Sequence, residues 1–216
     1  MADRNWHRIA SGCGLAAPIV ALGAIFLATL LAAPETFTWR DRALSDMGRY
    51  GANTFLLFNG GLILGGLLGL PFGWRLWVAS HTTLERLGVG LLWGATVGLV
   101  GVGVFFLDHT AFYLATSLHG PAAVLFSGLA PFAQWLYGTG LVLVGTPRLG
   151  LASIWLGLVH PLGWLGWLLF RVGSDDPMAW FAVPEFVAAL AFGSWVLLIA
   201  GVQWRRDGSK TTVPSR

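Results

Sequence analysis

Residues 53–79 read NTFLLFNGGLILGGLLGLPFGWRLWVA, with a single charge, Arg75, near the end. A helix rises about 1.5 Å per residue, so roughly 20 apolar residues cross the hydrocarbon of a bilayer. This stretch does so with residues to spare. Gly61, Gly65, Gly69 and Gly73 recur every fourth position along it. That interval puts them on one helix face, where small residues let a second backbone approach closely. Gly90, Gly94 and Gly98 repeat the device in the next apolar stretch, beyond the short loop His81–Arg86. The spacing predicts that these two stretches pack on each other as a tight antiparallel hairpin; the alternative is a glycine face for self-association in a dimer.

Five further stretches have the same character: Ile9–Ala33, Leu87–Leu107, Pro121–Gly145, Leu149–Phe170 and Pro177–Trp204. The expected architecture is all-α, a polytopic membrane bundle of six transmembrane helices forming one domain over 1–216. A short polar tail occupies 205–216. Composition agrees, with 56% hydrophobic and 11% charged residues and a mean hydropathy of +0.70. Soluble domains carry about 25% charge, so a disordered chain and a nucleic-acid partner are both excluded. The lone Cys13 allows neither an internal disulfide nor a cysteine metal site. His119-Gly120-Pro121 interrupts a long apolar run. Proline disfavours helix at the residue before it, which predicts a short interfacial or re-entrant segment near 110–118. Val159-His160-Pro161 predicts a kink in the fifth span.

Charge sets the expected orientation. Six spans put both termini on one side, with nine basic residues against three acidic ones, a balance of +6. The opposite side has four basic and seven acidic residues, a balance of −3. Loops rich in Lys and Arg stay in the cytoplasm, so the expectation is a multi-pass plasma-membrane protein with cytoplasmic N- and C-termini.

The polar residues inside or beside the spans gather on the other side, expected to face outward. Loop one holds Ser45, Asp46 and Arg49, and Asn59 lies about two turns into the second span. Asp108 and His109 end the third span, and His119 opens the fourth. Arg171 ends the fifth, and Glu185 stands about two turns into the sixth if that helix begins at Pro177. An ionisable group inside a bundle is costly and has a partner or a task. For Glu185 the expected partners are Arg49, Arg171, His119 or a proton. The plain structural roles are caps at Ser45, Asp108 and Asp176, and a backbone carbonyl for His119. The catalytic candidates are Ser45, Asp46, Asp108, His109, His119 and Glu185. Asn59, Arg49 and Arg171 are the ligand-binding candidates. Asp108, His109 and His119 are the metal candidates, with zinc as the implied ion.

One run, Ala43-Leu44-Ser45-Asp46-Met47-Gly48, is followed by Leu57-Phe58-Asn59-Gly60-Gly61 and by Gly101-Val102-Gly103-Val104-Phe105-Phe106. His109 and Pro184-Glu185 come later. With these elements the chain resembles the integral membrane family catalogued as domain of unknown function 998, which is common in archaea and also found in bacteria. The resemblance covers nearly the whole chain. It implies a compact helical membrane bundle and no established activity. The family's recurrent polar positions correspond to Ser45, Asp46, Asn59, His109 and Glu185. Leu107-Asp108 stands where the family usually has Pro-Glu. A looser similarity, at the level of fold only, is to the zinc-dependent membrane hydrolases related to alkaline ceramidases; their His-x-x-x-His pair is missing here.

The functional expectation is an outward-facing polar pocket in a ligand-binding or accessory membrane protein. Two alternatives stand beside it: a metal-dependent lipid hydrolase or transferase at the outer leaflet, and a small-molecule transporter. Whether the chain is an enzyme stays open. The expected partners are the bilayer, a lipid or small apolar ligand, and a second copy of the chain or another membrane subunit.

Overall fold

The computed structural model describes residues 2–209, with side chains from Asn5 onward. Among them are six long helices: α1 (Ala2–Leu31), α2 (Phe55–Ala79), α3 (Thr83–Val104), α4 (His119–Leu143), α5 (Pro147–Arg171) and α6 (Ala182–Ser209). Two short 3-10 helices, Leu44–Gly48 and His109–Ala111, lie in the connections. Each long helix packs on the next in chain order, and α6 returns to α1, so the six close a ring. Five are long and apolar enough to cross a membrane, α1 over Asn5–Leu31. The other is α4. It equals α2 in length and carries no Asp, Glu, Lys or Arg, but Gln134, Tyr137, two prolines and four glycines dilute its hydropathy. The chain is a multi-pass helical membrane protein. Its two ends are called here the termini face and the far face.

Local chemistry accounts for the helix ends. Thr82 and Glu85 form a reciprocal cap at the start of α3. Glu85 N–H donates to Thr82 Oγ1 (3.1 Å), while Thr82 and His81 N–H donate to Glu85 Oε2 (2.8 and 2.7 Å). Glu85 is buried, and its charge is spent on these orphan donors. Pro161 lies within an unbroken α5.

Several sequence expectations shift. The sixth helix begins at Ala182, not Pro177. Trp180 takes a left-handed φ of 59°, and its N–H donates to Arg40 O (2.7 Å), so the chain turns there instead of continuing as helix. Pro184 then falls in the first turn, where its missing N–H costs nothing. Glu185 is therefore in the first turn of α6. Residues 112–118 form an exposed loop after the 3-10 helix His109–Ala111, without a half-helix dipping inward. α6 runs to Ser209, five residues into the polar stretch 205–216, and the rest of that stretch lies outside the described residues.

The glycine rows also divide differently. Gly61 and Gly65 face Ala24, Ala21 and the Ala17 carbonyl of α1, whereas Gly66, Gly69 and Gly73 face Thr96, Val100 and Trp93 of α3. On α3, Gly88 and Gly98 face the backbone of α4, while Gly90 meets nothing. The expected hairpin exists, but α2 uses separate glycines for its two neighbours, because a helix inside a ring must be flat on two faces.

These contacts set the tolerance for substitution. A Cβ on Gly98 would lie 2.6 Å from Phe126 N and 3.0 Å from Ala122 O. Backbone atoms cannot rotate away as a side chain end can. Gly98→Ala is expected to cost about 2 kcal/mol by overpacking. Gly90→Ala, with open space around it, is expected to be neutral or slightly stabilising. Thermal unfolding of both variants in the same detergent checks the contrast.

Candidate functional site

Two buried apolar clusters fill the ring. One, toward the termini face, includes Phe72, Leu76, Leu92, Tyr137 and Trp195. The other, toward the far face, includes Ile25, Phe37, Leu44, Met47, Phe58 and Leu62. Between them lies a cavity of about 350 Å³, lined by residues of all six helices and almost wholly apolar. Its polar lining is sparse. Thr96 and Ser127 lie along the wall, and Ser45, His119 and Glu185 belong to the far-face end.

The first loop forms the roof. Its short 3-10 helix Leu44–Gly48 buries Leu44 and Met47 against the far-face cluster. Asp46 makes the turn possible: Ala43 N–H donates to Asp46 Oδ2 (2.9 Å). Gly48 allows the close approach to α2, since a Cβ there would stand 2.5 Å from Asn59 Oδ1. Asn59 Nδ2 donates to Gly48 O (2.9 Å), and Thr54 Oγ1 donates to Met47 O (2.9 Å). Leu44 N–H donates to Glu185 Oε2 (2.7 Å). The roof is thus pinned to α2 and α6 by its own backbone polar groups.

The structure sorts the candidates accordingly. Ser45, His119 and Glu185 come together on the cavity wall. Ser45 does not cap the turn, because Ala43 occupies the cap position and Asp46 supplies the acceptor. Its hydroxyl has no hydrogen-bond partner among the described residues. His119 Nδ1 bonds Phe105 O (2.8 Å), the carbonyl just past α3, rather than a carbonyl freed by Pro121. Glu185 finds its partner in Leu44 N–H rather than in an arginine. It is half-buried, its accessible surface facing the cavity.

The other candidates stand apart from the cavity. Arg49 bonds Asp46 through Nε (2.7 Å) and Asp108 through Nη1 (3.0 Å). The Asp46 hydrogen bond holds the Arg49 proton more tightly than in a free arginine. Asp108 pairs with Arg49 and makes no side-chain cap. His109 is buried, with Nδ1 on Phe106 O (2.7 Å) and Nε2 on Thr116 O (3.1 Å), so it ties down the loop before α4. Asn59 serves the roof, and Arg171 lies over the Trp167 ring (5.6 Å). Asp176 Oδ1 accepts from Met178 N–H (2.9 Å), capping the turn before α6 instead of the helix itself. Among the described residues, no three His, Cys, Asp or Glu side chains come together as a metal cage.

One polar group escaped the sequence reading. Near the termini face, Arg75 of α2 meets Asp207 of α6 through Nη2 (2.6 Å) and Nε (3.2 Å). Ser11 Oγ of α1 donates to the same carboxylate (2.7 Å). Arg75 and Asp207 are both nearly inaccessible. An arginine inside an apolar span was the available signal, since such a charge needs a partner. Its partner lay hidden in a stretch that reads as a polar tail.

A family model described as "Protein of unknown function (DUF998)" matches residues 6–202. The chain belongs to that family. No curated protein and no solved structure matches it.

Two variants test the architecture around the cavity. Asp46→Ala removes the acceptor for Ala43 N–H and a partner of Arg49. Amide exchange across Leu44–Gly48 is expected to speed up by about tenfold, for roughly 1.4 kcal/mol of lost local stability. The α2–α3 core is expected to keep its protection. Arg75→Ala strands a buried carboxylate, and a loss of about 3–5 kcal/mol is expected, read as a lower unfolding midpoint. The double change Arg75→Leu with Asp207→Leu is expected to recover most of it.

Proposed function

We propose that this member of the family is a binding protein for one small amphiphile, held with its apolar part in the central cavity and its polar end beneath the roof. The observation that carries the reading is the lining of the cavity. Apolar side chains make up nearly all of it, and Ser45, His119 and Glu185 are grouped at one end. A volume of about 350 Å³ is within the range of small-molecule sites, which combine an apolar body with a few placed polar groups.

The polar end favours a particular head. Glu185 has one oxygen on Leu44 N–H and its other oxygen unbonded among the described residues. The His119 ring is fixed through Nδ1. With the proton on Nδ1, Nε2 is an acceptor. Two acceptors beside the Ser45 hydroxyl suit a head that donates hydrogen bonds, such as an alcohol or an amine. A carboxylate or phosphate head would meet Glu185 unfavourably. Phe72, Leu92 and Val196 wall the cavity toward the termini face, which supports binding over passage. The excess of basic residues at the termini supports a cytoplasmic termini face, with the polar end toward the outer leaflet.

Native mass spectrometry and organic extraction of protein purified in mild detergent test the reading. A single small amphiphile is expected at up to one per chain. Ala188→Phe, which puts a ring on the cavity wall, is expected to abolish it while the protein stays folded. Glu185→Gln retains an oxygen for Leu44 N–H but replaces the second acceptor oxygen with an amide donor. Its expected effect is about tenfold weaker retention, since a donor left buried without its acceptor costs roughly 1–3 kcal/mol. Equal retention in all three proteins would exclude the cavity as the binding site.

A further inference from the structure

We infer that the cavity is filled sideways, through a portal between the far-face halves of α4 and α5, and that its occupant is the hydrocarbon chain of a lipid in that leaflet. The inference rests on the binding reading above and adds the source and route of the ligand.

The helix contacts show where the ring is shut and where it parts. In the half near the termini face, α4 and α5 touch backbone to backbone. A Cβ on Gly138 would stand 2.7 Å from Gly150 O, and one on Gly150 would stand 2.5 Å from Gly138 O. Gly157 is similarly close to Gln134 and Trp135. Toward the far face the two helices lean on different neighbours. α4 follows α3, with Ala122 and Phe126 pressed against Gly98 and Gly101. α5 follows α6 and the turn before it, with Gly163 against Val187 of α6 and Trp167 Nε1 donating to Ala179 O of the turn (2.9 Å). A Cβ on Gly120 or Gly128 of α4, or on Gly166 of α5, would meet nothing within 4 Å.

The cavity reaches this gap. Gly120, Ala123, Val124 and Ser127 of α4 line it on one side, and Trp164 and Phe181 on the other. Val124 is 70% exposed even though it also lines the cavity, which places it on the rim. The axial route is blocked at the far face by the roof, whose Leu44 and Met47 are buried and whose backbone is hydrogen-bonded to Glu185, Asn59 and Thr54.

The surroundings of the rim identify the occupant. By a rise of 1.5 Å per residue, Val124 lies roughly 8 Å from the start of α4 and Trp164 roughly 10 Å from the end of α5, within one leaflet. Leu125, Leu165, Leu168 and Leu169 beside the rim are exposed and apolar. The medium touching such a rim is lipid hydrocarbon, and a chain entering from it leaves one apolar environment for another. The discrimination then falls to the head, which would be drawn toward Ser45, His119 and Glu185.

The test uses the full chain in nanodiscs doped with a monoacylglycerol that has an alcohol head and a diazirine in mid-chain, irradiated and mapped by peptide mass spectrometry. Wild type is expected to give adducts in the α2 peptide containing Leu62 and the α6 peptide containing Phe192, both on the cavity wall. Val124→Trp narrows the rim at an exposed position and is expected to lower those interior adducts by about tenfold. Adducts at lipid-facing Leu169 are expected to stay constant. Ala123→Trp is the second variant, and unfolding midpoints control for misfolding. Interior adducts unchanged in both folded variants would overturn the portal and leave the binding reading standing. Interior adducts absent from wild type would overturn the leaflet lipid as occupant; amphiphile recovered by extraction would then show that the binding reading survives.

Discussion

Close backbone contact at glycine is the interaction on which the rest of the structure depends. In a bilayer the hydrophobic effect does not press helices together, because lipid tails are as apolar as leucine. Association then rests on packing and on polar bonds between helices. Gly88 and Gly98 bring α3 onto the backbone of α4, and Gly138 with Gly150 brings α4 onto α5. Gly61 and Gly65 seat α2 on α1. Where glycine meets backbone, the ring is shut. Where it meets nothing, as at Gly120 and Gly128, no backbone contact of this kind closes the ring.

The polar groups do a second job of fastening. Arg75, Asp207 and Ser11 join α2, α6 and α1 near the termini face. Glu185, Asn59 and Thr54 join α6 and α2 to the roof at the other end. Both sets sit at the ends of the bundle. Between them, apolar side chains, many of them small, make up most of the cavity wall.

Much of this is legible in the sequence, for identifiable reasons. Apolar length fixes the helices, because about 20 residues of hydrocarbon thickness is a hard constraint. The cluster of Ser45, Asp46, Asn59, His109, His119 and Glu185 at one end follows from counting spans. What a span count does not contain is direction around the helix axis. Gly61 and Gly66 stand five residues apart, and only the packed ring shows that one faces α1 and the other α3. The same lack hides the role of Glu185. Charge pairing suggests an arginine, whereas Arg49 is taken by Asp46 and Asp108, and a backbone N–H from loop one takes the carboxyl group. Backbone donors have no signature in sequence, so a partner of this kind is invisible until the loop is placed.

Asp46 shows how the polar chemistry of loop one divides its labour. Its carboxylate resembles an acid–base candidate, yet one oxygen accepts from Ala43 N–H and the other from Arg49. It is a structural group that holds the turn in shape. Ser45, next to it, is the residue turned to the cavity. A capped turn leaves its second residue free, and here that residue carries a hydroxyl. The roof is thus built by Asp46 and Gly48, while the polar end of the cavity is furnished by Ser45 and Glu185. Glu185 belongs to both, since one oxygen anchors the roof at Leu44 and the side chain itself forms part of the wall. A head group that bonds Glu185 would therefore touch the roof's anchor directly, coupling occupancy of the cavity to the stability of the turn above it.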